Sequence, residues 1–201
     1  MSLPARDREL VQIVNASMAD AARRAGKRLA CRPGCTECCR GVFAIDALDA
    51  ERLAAGMEQL RAAQPAVAAA IEARAREWIA ERAGHFPGDP LTGLLGETEE
   101  DQQRFDEFAE SAPDTFCPAL DPATGLCQIY EWRPMICRLF GPPTRREPDG
   151  PLGVCELCFV GVSDEEIAVC EMEVPHALHE QILGELPDQR ETVIAYALLR
   201  R

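Results

Sequence analysis

Cys31-Arg32-Pro33-Gly34-Cys35-Thr36-Glu37-Cys38-Cys39 places four thiols within nine residues. The Pro-Gly pair punctuates the stretch, so it reads as an irregular loop, neither helix nor strand. A soft, thiophilic metal needs several thiolates converging within a few ångströms, and such a loop lets the backbone wrap around it. Four-thiolate coordination suits tetrahedral zinc and an iron–sulfur cluster equally well. The loop therefore points to a metal and leaves its identity open. Neighbouring side chains diverge, so Cys38 and Cys39 are not expected to serve one mononuclear ion together. Either one is a spectator, or there are two centres, or one polynuclear cluster.

Six further cysteines bring the total to ten. Cys117, Cys127 and Cys137 form a second group, and Cys155, Cys158 and Cys170 a third; all ten are candidate metal ligands. Seven thiols from the first two groups plus one from the third would furnish two four-thiolate sites. In a reducing compartment disulfides are disfavoured and clustered thiols read as metal or redox groups. A four-thiolate zinc site, or a four-iron cluster on four cysteines, carries a net charge near −2. Arg32, Arg40, Arg133 and Arg138 lie beside the first two groups. Arg40, Arg133 and Arg138 are thus candidate cofactor-binding residues that offset thiolate charge. The competing reading pairs these arginines with Glu37 and Glu131.

Working outward, helices dominate. Leu10, Val14, Met18, Ala21 and Ala25 recur at three and four residues, predicting a helix from Arg6 to Lys27. A second helix opens at Asp46 or Asp49 and runs to about Ala63. A third starts at Pro65, carries Val67, Ile71, Trp78 and Ile79, and stops by Gly84. His85 to Gly96 is a Pro/Gly-rich connection. Thr98 caps an acidic helix with Phe105 and Phe108 inward. The segments around Cys117 and Cys127 flank Asp121-Pro122-Ala123-Thr124-Gly125 and predict a small hairpin. Pro134 opens a short helix bearing Cys137, Gly141 to Gly153 is a loop, and Ser163 with Glu166 caps a helix reaching Cys170. Pro175 and Asp188 open the last two helices. No internal repeat or low-complexity segment emerges. The expected fold is mainly α: one small domain over 1–201 with one short β-hairpin and cysteine-rich loops, and residues 46–111 as a helical insertion between the two cysteine motifs.

Composition sets the outer limits. The 201 residues carry a formal net charge of −13, which argues against a nucleic-acid partner. At 47% hydrophobic and 27% charged, the balance is that of an ordinary globular chain. No apolar run approaches the roughly 20 residues of a membrane span, and the first nine residues lack the apolar core of a signal peptide. The expectation is a cytoplasmic protein without membrane or nucleic-acid contacts.

The run Cys31-x3-Cys35-x2-Cys38-Cys39 resembles the leading motif of the YkgJ-like cysteine-cluster family of zinc- or iron-chelating domains. A second stretch resembles it as well: Cys117-Pro118-x-Leu120, then Gly125-x-Cys127-x-Ile129-Tyr130-Glu131-x-Arg133-Pro134-x2-Cys137-Arg138-x-Phe140. The resemblance implies that Cys31, Cys35, Cys38, Cys39, Cys117, Cys127 and Cys137 are metal-site residues, with a weaker assignment for Cys155, Cys158 and Cys170. The family also includes flagellin lysine N-methylases, which share the cysteine motif. That implies iron–sulfur-dependent methyl transfer as the alternative, although this chain is short and has no glycine-rich nucleotide loop.

Three roles remain: a binding module for zinc or an iron–sulfur cluster; an iron–sulfur oxidoreductase or methylase-like enzyme; and a zinc-stapled scaffold for a protein partner. No catalytic motif stands out beyond the cysteines. His176 and His179 share a predicted helix face but sit among charged residues, and His85 reads as surface. Tyr130 and Trp132 read as core packing. Cys155-x2-Cys158 matches a dithiol pair but lacks the βαβ setting of a thioredoxin-like site.

Overall fold

The structure is a computed structural model that describes residues 3–145 and 148–200. It is mainly helical: α1 (Asp7–Ala25), α2 (Ala47–Ala63), α3 (Pro65–Arg82), α4 (Glu99–Glu110), α5 (Met135–Arg138), α6 (Asp164–Ala168), α7 (His176–Leu183) and α8 (Ile194–Ala197). Four two-residue strands, β1 (Ala44–Ile45), β2 (Thr144–Arg145), β3 (Leu152–Gly153) and β4 (Thr192–Val193), form two antiparallel pairs, β1 with β4 and β2 with β3. No helix among the described residues is long and apolar enough to cross a membrane. The chain divides into two compact units built from interleaved stretches. The larger takes residue 3, 36–134 and 186–200; the smaller takes 4–35 and 135–185.

In the larger unit, α2 starts where the Asp46 carboxylate accepts the Asp49 N–H at 2.8 Å, a cap worth about 1 kcal/mol. Only Gln64 separates α2 from α3, whose Pro65 occupies the first turn, where a missing donor is harmless. The two helices pack on each other and on α8. Thr98 and Asp101 exchange side-chain-to-backbone bonds in a capping box that opens α4. This turns Phe105 and Phe108 into an aromatic core with Trp78, Phe86 and Tyr196. Residues 46–111 thus supply most of the unit's core helices.

Two expectations change here. Asp188 does not open a helix: its carboxylate is held by the Arg190 N–H and guanidinium. The β-branched residue Thr192 and Val193 instead run extended and pair with Ile45 and Ala44, so α8 begins only at Ile194. The hairpin around Cys117 and Cys127 contracts to a single bridge, Leu120 with Cys127. Its turn also occurs twice, a short repeat within a chain expected to have none. In Asp89-Pro90-Leu91-Thr92-Gly93 and Asp121-Pro122-Ala123-Thr124-Gly125 the aspartate accepts the N–H two residues on and the threonine hydroxyl. In both, the aspartate carbonyl accepts the glycine N–H, at 2.7 and 2.8 Å, and the glycine takes a positive φ, +72° and +68°.

The smaller unit is organised by α1, which buries Leu10, Val14, Ala21 and Ala25 on one stripe and packs against α5 and α7. Arg24 of α1 donates to the carbonyls of Val169 and Glu171 at 2.6 and 2.9 Å. Arg138 of α5 is buried and donates to Asn15 at 3.0 Å. The helix ends at Gly26, φ +56°, where a 3₁₀ turn carries the chain toward Cys31. Ser163 accepts the Glu166 N–H to open α6, and α7 follows Pro175 as expected. The expected loop Gly141–Gly153 contains the β2–β3 pair; its residues 146 and 147 lie outside the described residues.

Candidate metal centre

The boundary between the units runs through the first cysteine motif. Cys31 and Cys35 belong to the smaller unit, Cys38 and Cys39 to the larger. The second motif is divided as well: Cys117 and Cys127 fall in the larger unit and Cys137 in the smaller. Among the described residues no cysteine forms a disulfide.

In the larger unit, paired backbone gathers four thiols. Cys38 and Cys39 end a 3₁₀ turn, Glu37–Cys39, closed by the Cys39 N–H on the Thr36 carbonyl at 2.8 Å. The chain then runs antiparallel to the segment before Cys117: Arg40 bridges Phe116, the Gly41 N–H reaches Thr115, and the Cys117 N–H reaches the Cys39 carbonyl at 2.8 Å. The twin turn at Asp121 brings Cys127 back opposite Leu120. From α3, the Arg74 guanidinium donates to the Pro118 carbonyl at 2.8 Å and to Gln128 at 2.6 Å, clamping both legs of this loop.

The Cys38 and Cys39 sulfurs stand 3.9 Å apart. A tetrahedral ion with sulfurs at about 2.3 Å places them about 3.8 Å from each other. The expected divergence of the adjacent side chains is therefore corrected: the tight 3₁₀ turn swings the two sulfurs together.

Electrostatics follow from this crowding. The hydrogen bond shared with Cys39 is the first cause that draws the Cys38 pKa down to about 7, with the Arg133 charge a smaller one. Cys39 is pushed far up by that same bond, then by burial and by the thiols of Cys38, Cys117 and Cys127. Burial carries Cys117 up to about 12, with Cys127 and Cys38 adding to it against the N–H groups of Ala119 and Leu120. Four such thiols cannot all ionise unless a cation joins them.

In the smaller unit, Cys31 and Cys35 bracket a turn closed by the Cys35 N–H on the Arg32 carbonyl at 2.9 Å, with Gly34 at φ +87°. Cys155 and Cys158 close a similar turn, N–H to carbonyl at 2.8 Å. Phe159 donates its N–H to the Arg28 carbonyl, and the Ala30 N–H points at the Cys158 sulfur at 3.4 Å, which draws the two turns together. Gly141 makes the remaining room, since a Cβ there would lie 2.6 Å from the Cys31 sulfur. Although Cys31 is exposed as a residue, its pKa is pushed up to about 12. Desolvation is the first cause, followed by the thiols of Cys158, Cys35 and Cys155. Cys155 is raised by burial and by Cys158 and Cys35.

The thiols are thus gathered four and four, across the three sequence groups. Cys137 stands half-buried on α5. Cys170 is buried with Ala25, Cys158 and Phe159 in an apolar cluster. Among the described residues, no three Cys, His, Asp or Glu side chains stand in coordinating geometry.

The arginines divide. Arg133 lies over the Tyr130 ring at 3.7 Å and beside Cys38. Arg40 forms ion pairs with Glu37 and Asp114. Arg138 turns to Asn15, and Arg32 reaches the Ala30 carbonyl at 3.5 Å. Tyr130, expected in the core, is 57% exposed, whereas Trp132 packs against Gly56 of α2. His85 is at the surface, and His176 and His179 lie on α7. Sequence reasoning missed Arg74 and Gly141, which carry no motif signal.

This donor set is that of a thiolate metal-binding protein. Residues 30–156 match the CxxCxxCC family, described as "Putative zinc- or iron-chelating domain", and the chain belongs to that family. Where the family's name spells two residues between its first cysteines, this chain has three, Arg32-Pro33-Gly34. No curated protein and no solved structure matches the chain.

Proposed function

We propose that the chain is a cytoplasmic chelator that holds two ions, one in each unit. Cys38, Cys39, Cys117 and Cys127 bind one; Cys31, Cys35, Cys155 and Cys158 bind the other. Zinc is the occupant favoured at the larger-unit site. The 3.9 Å separation of the Cys38 and Cys39 sulfurs carries this reading. It suits two ligands on one tetrahedral ion, whereas in a four-iron cluster each thiolate sits on a different iron and the sulfurs stand farther apart. Ten thiols outside disulfides are at home in a reducing compartment. Bound zinc supplies charge neutralisation and local rigidity; the protein contributes the thiolates and the N–H groups around them.

Anaerobic purification followed by metal analysis tests this. The expected result is a colourless protein with two zinc ions per chain, falling to one in Cys35→Ser. Stoichiometry near one sinks the two-site assignment. A brown protein that bleaches with dithionite replaces zinc by an iron–sulfur cluster.

A further inference from the structure

Resting on that two-ion reading, we infer that the sites do different work: the larger unit retains its zinc, and the smaller unit exchanges its zinc with a thiol-bearing acceptor that enters through Cys31. The two sites differ in access and in support. None of the four larger-unit cysteines is exposed, and Cys31 is the one exposed cysteine of the ten. Cys155 forms part of the wall of an open cavity of about 460 Å³ lined by Leu139, Phe140, Pro142 and Val154 together with Thr144. Leu157 and Val160, beside Cys158, are 49% and 80% exposed, an apolar rim against which an acceptor can seat itself.

Support runs the other way. In the larger unit, two bridges, the Cys117–Cys39 backbone bond and the Arg74 clamp hold the ligand loops. The Leu120 N–H donates to the Cys117 carbonyl at 3.0 Å, closing the turn that carries that thiol. In the smaller unit the exposed ligand, Cys31, sits at the edge of a Pro-Gly turn with no strand partner in the described structure. Outer-shell support of this kind changes metal affinity about 10–100-fold. Exchange then proceeds by substitution at the ion. An incoming thiol gives up its proton as its sulfur binds zinc, and the departing Cys31 sulfur takes a proton up, so protons, charge and electrons balance. A thiol acceptor offers the ion the same kind of ligand it leaves, so zinc keeps a full thiolate shell as Cys31 departs.

Mixing the two-zinc protein with excess 4-(2-pyridylazo)resorcinol tests this directly. Absorbance is expected to rise in two steps of one zinc each, separated at least about tenfold in rate, with dithiothreitol accelerating only the faster. N-ethylmaleimide added between the steps, followed by peptide mass spectrometry, is expected to label Cys31, Cys35 and Cys155, with Cys158 shielded by its burial, and to spare Cys38, Cys39, Cys117 and Cys127. Cys31→Ser is expected to remove the fast step and keep the slow one. The labelling needs no variant, so it decides the question even where Cys31→Ser does not fold. Release in a single step, or early labelling of Cys117 and Cys127, overturns the division of labour and leaves two-ion binding standing. A total of one zinc overturns the two-ion reading itself.

Discussion

The two thiol quartets take equal shares of one nine-residue motif but are built by different means. In the larger unit the ligand loops are strand-like: their backbones pair with each other, and α3 reaches over with Arg74 to hold them. In the smaller unit two turns are joined by the Phe159 bond to Arg28 and the Ala30 N–H on Cys158 and back onto an apolar cluster of Ala25, Cys158, Phe159 and Cys170, with Gly141 leaving space for Cys31. Ligands fixed through the main chain lose little freedom when an ion arrives. Ligands held by turns and packing must still be ordered, so the same four sulfurs give a firmer site in one setting than in the other.

The largest test of this contrast is removal of the metal. Each ion held at about 1,000-fold above its dissociation constant adds about 4 kcal/mol of stability, so two add about 8 kcal/mol, which for a chain of this size is roughly 16–32 °C in melting temperature. Chelation should lower the melt by about that amount. Cys127→Ser should reproduce most of the loss and Cys155→Ser less than half of it, as read by calorimetry. Equal losses would erase the difference between the sites.

Arg74→Ala comes next. It removes two charge-assisted hydrogen bonds, worth about 1.5–3 kcal/mol each. Competition titration should show the larger-unit zinc weakened about 10–100-fold, with the other ion unaffected. Gly141→Ala sharpens the opposite side: a Cβ 2.6 Å from the Cys31 sulfur, at φ +114°, must displace that sulfur. Strain of about 1–3 kcal/mol is expected, and metal analysis should show the smaller-unit ion depleted while the larger-unit ion stays.

The smallest effect concerns Cys38. Its thiolate is favoured first by the bond to Cys39, then by a backbone N–H, and after these by the Arg133 charge. Removing a positive charge destabilises the thiolate and raises the pKa. In metal-free protein at pH 7, Arg133→Met should therefore slow alkylation of Cys38 by about two- to fivefold. An unchanged rate would show that Arg133 does not act on this sulfur.

Much of the architecture was legible in the sequence because it is local. The stripe from Leu10 to Ala25, the caps at Asp46, Thr98 and Ser163, and Pro65 at the head of α3 need only their neighbours to act. The C-terminal helix was misjudged because Thr192 and Val193 are captured by a strand about 150 residues earlier, a pairing that no local pattern announces. The cysteine motif announced a metal site, but not that a boundary after Cys35 sends its halves to separate units. Arg74 looks like any arginine on a helix, and Gly141 like any loop glycine; their roles arise only once the chain has folded. The doubled Asp-Pro-x-Thr-Gly turn, by contrast, lies in plain view in the sequence and was missed, because five residues 32 positions apart do not register as a repeat. The same five-residue frame delivers Leu95 toward the core in one copy and Cys127 to the thiols in the other.

The interleaved order of segments has a consequence during synthesis, when the chain emerges from its N-terminus at about 5–20 residues per second. Cys127 leaves the ribosome ahead of Cys158, so the first quartet is complete several seconds before the second. It is complete while β4 and α8, which lie beyond residue 185, are still untranslated. On the two-ion reading, the larger unit's four thiols are therefore open to an ion before the hydrophobic core of that unit can close.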